Sequence, residues 1–136
     1  MTTIPAERPI VMVDDDAVDT ELMSICVERS VLTNPFLSFD SGNSFLAHME
    51  SVRDGKQAMP AIVFLDINMP TMDGFAVLNE LRAHPEFTAL PVVVFLSNSD
   101  NPADVARCEE LAAGFREKFE RIADCVSYLD RMAPAV

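Results

Sequence analysis

Asp14 and Asp15, Asp66, Ser97 and Lys118 stand at or just beyond the ends of four separate short segments of this 136-residue sequence. Carboxylates pressed together raise one another's pKa or recruit a cation. An all-oxygen set with room for water suits Mg²⁺, which keeps part of its hydration shell and binds through a few carboxylates and phosphate oxygens. Zinc fits poorly, because no His or Cys lies near these positions in the sequence. With a metal offsetting the negative charge, a carboxylate can attack phosphorus and form an acyl phosphate. Asp66 is best placed to be that nucleophile if the Asp pair lies on one side of it and Ser97 and Lys118 on the other. The Ser97 hydroxyl would hydrogen-bond one phosphoryl oxygen, and the Lys118 ammonium would neutralise another.

The elements that must bring these residues together are legible as hydrophobic pattern. Pro9 to Val13, Ala61 to Leu65 and Val92 to Leu96 are continuous apolar runs, as expected of strands buried on both faces of a parallel sheet. Phe36 to Phe39 and Phe115 to Glu117 complete five strands. Between them run stripes at helical spacing: Val18, Leu22, Ile25 and Cys26; Phe45, Leu46, Met49 and Val52; Phe75, Val77, Leu78 and Leu81; Val105, Cys108, Leu111 and Ala112; and Ile122, Val126 and Leu129. Asp16, Ser41, and Asn101 followed by Pro102 supply helix starts. Five βα units predict an α/β fold, a doubly wound parallel sheet of five strands with five helices, which is flavodoxin-like in type if its strand order is 2-1-3-4-5. In such a sheet ligands bind outside the carboxyl ends of the strands, where the order reverses. The first and third strands would be neighbours about 4.8 Å apart, which presses Asp14 and Asp15 against Asp66.

Ten basic against twenty-two acidic residues give a net charge of −12, so the field of the chain repels nucleic-acid phosphates and anionic membrane surfaces. No run approaches the roughly 20 apolar residues of a membrane span, and Met1 to Arg8 does not resemble a signal peptide. A cytoplasmic protein is expected. Cys26, Cys108 and Cys125 read as buried reduced thiols, and His48 and His84 as solvated side chains.

The sequence Ile10-Val11-Met12-Val13-Asp14-Asp15-Asp16 resembles the first strand and acidic pair of the receiver domains of two-component response regulators. Phe64-Leu65-Asp66-Ile67-Asn68-Met69-Pro70-Thr71-Met72-Asp73-Gly74 is similar to that family's phosphorylation-site strand and following loop. The likeness covers about residues 9 to 133 and implies a single receiver domain over 1–136, of the stand-alone type, without an output domain. It also implies metal ligation by Asp15, Asp66 and the backbone carbonyl of Asn68, with Asp14 acting largely through water. Ser97 would be the family's hydroxyl, and Phe115 its aromatic switch, turning inward when the hydroxyl moves onto the phosphoryl group. The partners implied are a sensor histidine kinase or histidine phosphotransfer protein and a downstream target protein, with homodimerisation through the fourth helix, fifth strand and fifth helix as a further option. Such a domain is not an enzyme in the ordinary sense, since it catalyses only its own phosphorylation and dephosphorylation.

Two departures carry expectations of their own. Lys118 precedes Phe119 where the family usually has proline; a cis bond without proline costs roughly 2.5 to 4 kcal/mol, so a trans bond is expected, and the reach of Lys118 depends on it. Asn98 stands where a small residue is more typical, which implies altered phosphorylation or dephosphorylation rates. Two other functions compete. A phosphohydrolase of the haloacid-dehalogenase type would have a second Asp two residues after the nucleophile, where this chain has Asn68, and a cap domain. A receiver-like interaction module independent of phosphorylation would not need Asp14, Asp15 and Asp66.

Overall fold

The computed structural model describes residues 3–134, so both ends of the expected 1–136 domain, including the start of the Met1 to Arg8 segment, lie outside the described residues. Its elements alternate: β1 (Ile10–Val13), α1 (Ala17–Arg29), β2 (Phe36–Phe39), α2 (Gly42–Arg53), β3 (Ile62–Asp66), α3 (Gly74–Arg82), a 3-10 turn (Pro85–Phe87), β4 (Val92–Phe95), α4 (Pro102–Glu110), β5 (Gly114–Arg116) and α5 (Ile122–Asp130). All neighbouring strands are parallel and lie in the order β2-β1-β3-β4-β5, as expected.

The continuous apolar runs divide between the two faces of the sheet. Ile10, Met12, Ile62 and Phe64 pack with Met23, Cys26, Val27 of α1 and Cys125, Leu129 of α5. Val11, Val13, Val63 and Leu65 face α2, α3 and α4, where Phe45, Met49, Phe75 and Cys108 are buried. Each fully buried side chain of this size contributes about 1.5–3 kcal/mol of transfer free energy. Asp16, Ser41 and Asn101 cap their helices through side-chain oxygens, as the sequence predicts, and Asp73 caps α3 in the same way by accepting from the Ala76 N–H.

Several expectations are corrected. The buried stripe of α1 is Met23, Cys26 and Val27, whereas Val18 is 67% and Leu22 39% exposed. The helix is turned so that its sheet-facing side begins a full turn later than the apolar spacing implied. In α4 only Cys108 is buried. Ala112, assigned to its stripe, instead ends the helix in the left-handed region at φ 53°, and Arg82 donates to the carbonyls of Leu111 and Ala112. That early reversal starts β5 at Gly114 rather than Phe115. Neither histidine is fully solvated. The His48 ring lies 4.9 Å from Phe39 with Nε2 buried and unpaired, burial lowers its pKa, and His84 stands edge-on to Phe87. The three cysteines are buried and free. No helix among the described residues is long and apolar enough to cross a membrane.

The N-terminal segment is fastened by Asn34, whose buried side-chain amide donates to the carbonyls of Pro5 and Arg8, each at 2.7 Å. Asn34→Ala removes both bonds and leaves two acceptors without their donor. The expected loss is about 1–3 kcal/mol, read as a lower urea midpoint with unchanged slope.

Candidate functional site: an acidic cleft at the strand ends

Strand register sets the heights of the site residues. Val13 pairs with Leu65, Leu65 with Val94, and Val94 with Phe115; one residue on, Asp66 pairs with Phe95 and Phe95 with Arg116. Asp14 therefore follows β1 at the level of Asp66, while Ser97 and Lys118 each lie two residues beyond that level. Asp66 is the last residue of β3 rather than the first of a loop, and it is 4% exposed. Carboxylate oxygens of Asp14, Asp15 and Asp66 all lie within 4.8 Å of one another. Asp14 is buried and Asp15 exposed, so the cluster opens on one side, into a cleft of about 850 Å³ also lined by Asn68, Ser97 and Lys118.

Burial, then the charge of Asp14, push the Asp66 carboxyl up from 3.8 to about 6, against the pull of Lys118 and of the Asn68 N–H, which lies 3.4 Å from Asp66 Oδ1. A group near 6 is still mostly ionised at neutral pH. Lys118 extends into the cleft. Its Nζ lies 3.1 Å from Asp14 Oδ2, 2.6 Å from Asp19 Oδ2 and 3.7 Å from Asp66 Oδ2. Desolvation alone would lower its pKa, but hydrogen bonds to Asp19 and Asp14 and the field of Asp66 push it up, so it stays an ammonium.

There is no cis peptide among the described residues, so the Lys118–Phe119 bond is trans, as expected, and Lys118 reaches the cluster regardless. Phe119 helps to explain how. Its ring packs 5.2 Å from Tyr128 and edge-on to Phe95, and the Arg116 guanidinium lies over it at 3.5 Å. Aromatic packing thus fixes the β5–α5 connection at a position where a proline ring would have stiffened it.

Ser97 is exposed, and its Oγ accepts from the Asn68 side-chain amide. A hydroxyl that accepts one bond retains its own O–H for another acceptor. Phe115 is 36% exposed on β5, so its ring stands at the surface and not in the core. Sequence reasoning missed two of these contacts: the amide of Asn68 on Ser97, and Asp19 on Lys118. Asp19 had a signal, since it lies in the first turn of a helix that begins at the acidic pair.

Three oxygen-donating carboxylates, one of them open to solvent, fit a hard divalent cation and offer no nitrogen or sulfur for a softer one. Several known proteins are similar to this chain. Response regulator Rcp1 of Synechocystis sp. is 29% identical over 105 residues, covering 76% of this chain and 71% of its own length. Two-component response regulator ORR7 of Oryza sativa subsp. japonica is 31% identical over 124 residues, 90% of this chain but 55% of its own. Among solved structures, the bacteriophytochrome response regulator RtBRR superposes with a TM-score of 0.78 at 26% identity, covering 96% of this chain and 80% of that one. The Mn²⁺-bound form of Rcp1 superposes at 0.76 with 24% identity, covering 92% and 91%. Residues 10–127 match the response regulator receiver domain, and with the strand order and the acidic cleft in agreement the chain belongs to that family of two-component signalling proteins.

Proposed function

We propose that the chain is a phosphorylation-dependent switch in which Asp66 accepts a phosphoryl group from a histidine kinase or histidine phosphotransfer protein. The observation that carries this reading is the buried Asp66 carboxylate, with Asp14 and Asp15 on one side and the Lys118 ammonium 3.7 Å away. An Asp66 oxygen attacks phosphorus as the phosphorus–nitrogen bond of phosphohistidine breaks, and the imidazole leaves with the bonding pair and takes up a proton. Asp14, Asp15 and Asp66, with the Asn68 carbonyl by resemblance, would hold Mg²⁺, whose charge offsets that of carboxylate and phosphate as they meet. Rcp1, solved with Mn²⁺, is a precedent for a divalent cation on this fold. Lys118 neutralises a phosphoryl oxygen, and the free O–H of Ser97 donates to another. Drawing Ser97 inward would loosen its bond to Asn68 and open space for the outward Phe115 ring, changing the face made by α4, β5 and α5. A downstream protein or a second copy of the chain would read that face, and a cytoplasmic location belongs to the same reading.

The test is intact-mass analysis after incubation with acetyl phosphate. One phosphoryl group is expected with Mg²⁺ present and none with the cation chelated. A protein that folds and binds Mg²⁺ yet takes up no phosphoryl group from any donor would favour the interaction module instead. Steady turnover of a phosphate monoester would favour the phosphohydrolase.

A further inference from the structure

Lys118 is held by one carboxylate that belongs to the acidic cluster and by one that does not. An ammonium has three N–H donors. One goes to Asp14 Oδ2 at 3.1 Å and one to Asp19 Oδ2 at 2.6 Å; Asp66 Oδ2, at 3.7 Å, is beyond direct hydrogen-bond reach. The third donor is left for the space in front of Asp66, where the proposed function puts a phosphoryl oxygen.

The two tethers differ in kind. A divalent cation held by Asp14, Asp15 and Asp66 competes with Lys118 for Asp14, and its charge repels the ammonium. Asp19 stands outside that set, in the first turn of α1, with its backbone N–H on the Asp16 cap and its carboxylate at the positive end of the helix dipole. Its position is therefore fixed by the helix and not by the ion. The trans Lys118–Phe119 bond and the Phe119–Tyr128 packing hold the backbone of Lys118, but neither directs its long side chain. The 2.6 Å contact does.

We infer that Asp19 is a positioning residue: it holds the Lys118 ammonium in line with Asp66 when a divalent cation occupies the acidic cluster. The inference rests on the proposed phosphoryl acceptance for its purpose, but its geometry can be read without that reaction. At 29% side-chain exposure for Asp19 and 38% for Lys118, the pair adds little to global stability. A merely structural ion pair of this kind leaves the denaturation midpoint almost unchanged when it is removed.

The chain has two lysines, Lys118 and the exposed Lys56, which makes the ammonium signal easy to assign. In ¹⁵N-lysine NMR at neutral pH, exchange with water removes the signal of a free ammonium and a tethered one persists. The Lys118 signal is expected to persist in the wild-type protein saturated with Mg²⁺ and to vanish in Asp19→Asn. The initial rate of phosphoryl uptake from acetyl phosphate should fall about tenfold in Asp19→Asn, less than the roughly hundredfold that a 1 Å displacement of a reacting group costs. Asp19→Asn in a Lys118→Ala background should add less than about twofold, because the two side chains act as one unit. A Lys118 signal absent from Mg²⁺-saturated wild type or unchanged in Asp19→Asn overturns the inference, as do losses that multiply in the double variant. A wild-type protein that keeps the signal yet takes up no phosphoryl group overturns the proposed reaction and leaves the hold of Asp19 on Lys118 standing.

Discussion

Asp66→Asn is expected to abolish phosphoryl uptake completely and, with divalent cations chelated, to make the folded protein more stable at neutral pH. The first effect follows from removing the proposed nucleophile, since an amide oxygen cannot form the acyl phosphate. The second follows from the cost of ionising Asp66 where it stands. Its carboxyl titrates near 6 in the folded chain against an ordinary value of 3.8, chiefly because it is buried and next because Asp14 is beside it. A neutral Asp66 is favoured by folding, so its contribution is fully present below 3.8 and is lost as the pH rises through about 6. The gap corresponds to about 3 kcal/mol, of which asparagine, neutral at every pH, should recover about 1–3 kcal/mol at about pH 7.5. Urea denaturation in chelator should show the variant ahead at neutral pH and the two proteins converging at about pH 3.5. Saturating Mg²⁺ should narrow or reverse the gap, because only the wild type keeps the full acidic set and gains by mass action. Equal stabilities at both pH values would contradict the strained placement of Asp66.

Gly74→Ala should damage the same carboxylate from behind. A Cβ at Gly74 would lie 2.5 Å from the Asp66 carbonyl oxygen and 2.8 Å from the Ile67 Cα, both backbone atoms that no rotamer change can move. The Gly74 N–H also donates to the Ile67 carbonyl at 3.1 Å, tying the start of α3 to the exit of β3. To admit a methyl group, the two backbones must separate and carry Asp66 away from Asp14 and Asp15. Overpacking of this kind costs about 1–3 kcal/mol or more. A displacement near 1 Å at a reacting group costs about a hundredfold in rate. Denaturation and the initial rate of phosphoryl uptake measure the two losses. Gly55→Ala is the control. Gly55 has φ 77°, so the substitution strains the backbone, but nothing lies within 4 Å of the added methyl and the site is untouched. Its uptake rate should match the wild type.

The parts of this site that follow from strand order were legible in the sequence. Pro9 to Val13 and Ala61 to Leu65 are apolar on both faces, which marks central strands, and adjacency of central strands brings Asp14 to Asp66. The contacts that were not legible come from how helices turn and where chains reverse. Val18 and Leu22 have the spacing of a buried stripe, yet α1 buries Met23 and Val27 because its packing against α5 and the sheet sets its rotation. Asp19 meets Lys118 across 99 residues, a contact made by that rotation together with the trans connection after β5, and no local pattern encodes either. The left-handed turn at Ala112 is likewise carried by a residue with no preference for it, and Arg82 stabilises it from another helix.

The aromatic packing around Phe119 has an optical consequence. The chain contains no tryptophan and a single tyrosine, Tyr128, whose ring lies 5.2 Å from Phe119 with the Arg116 guanidinium 4.9 Å above it. The tyrosine fluorescence of the molecule and the tyrosine band of its near-ultraviolet dichroism therefore originate beside the residue that follows Lys118. Rearrangement of the β5–α5 connection carries its own intrinsic chromophore, and the unlabelled native chain reports it.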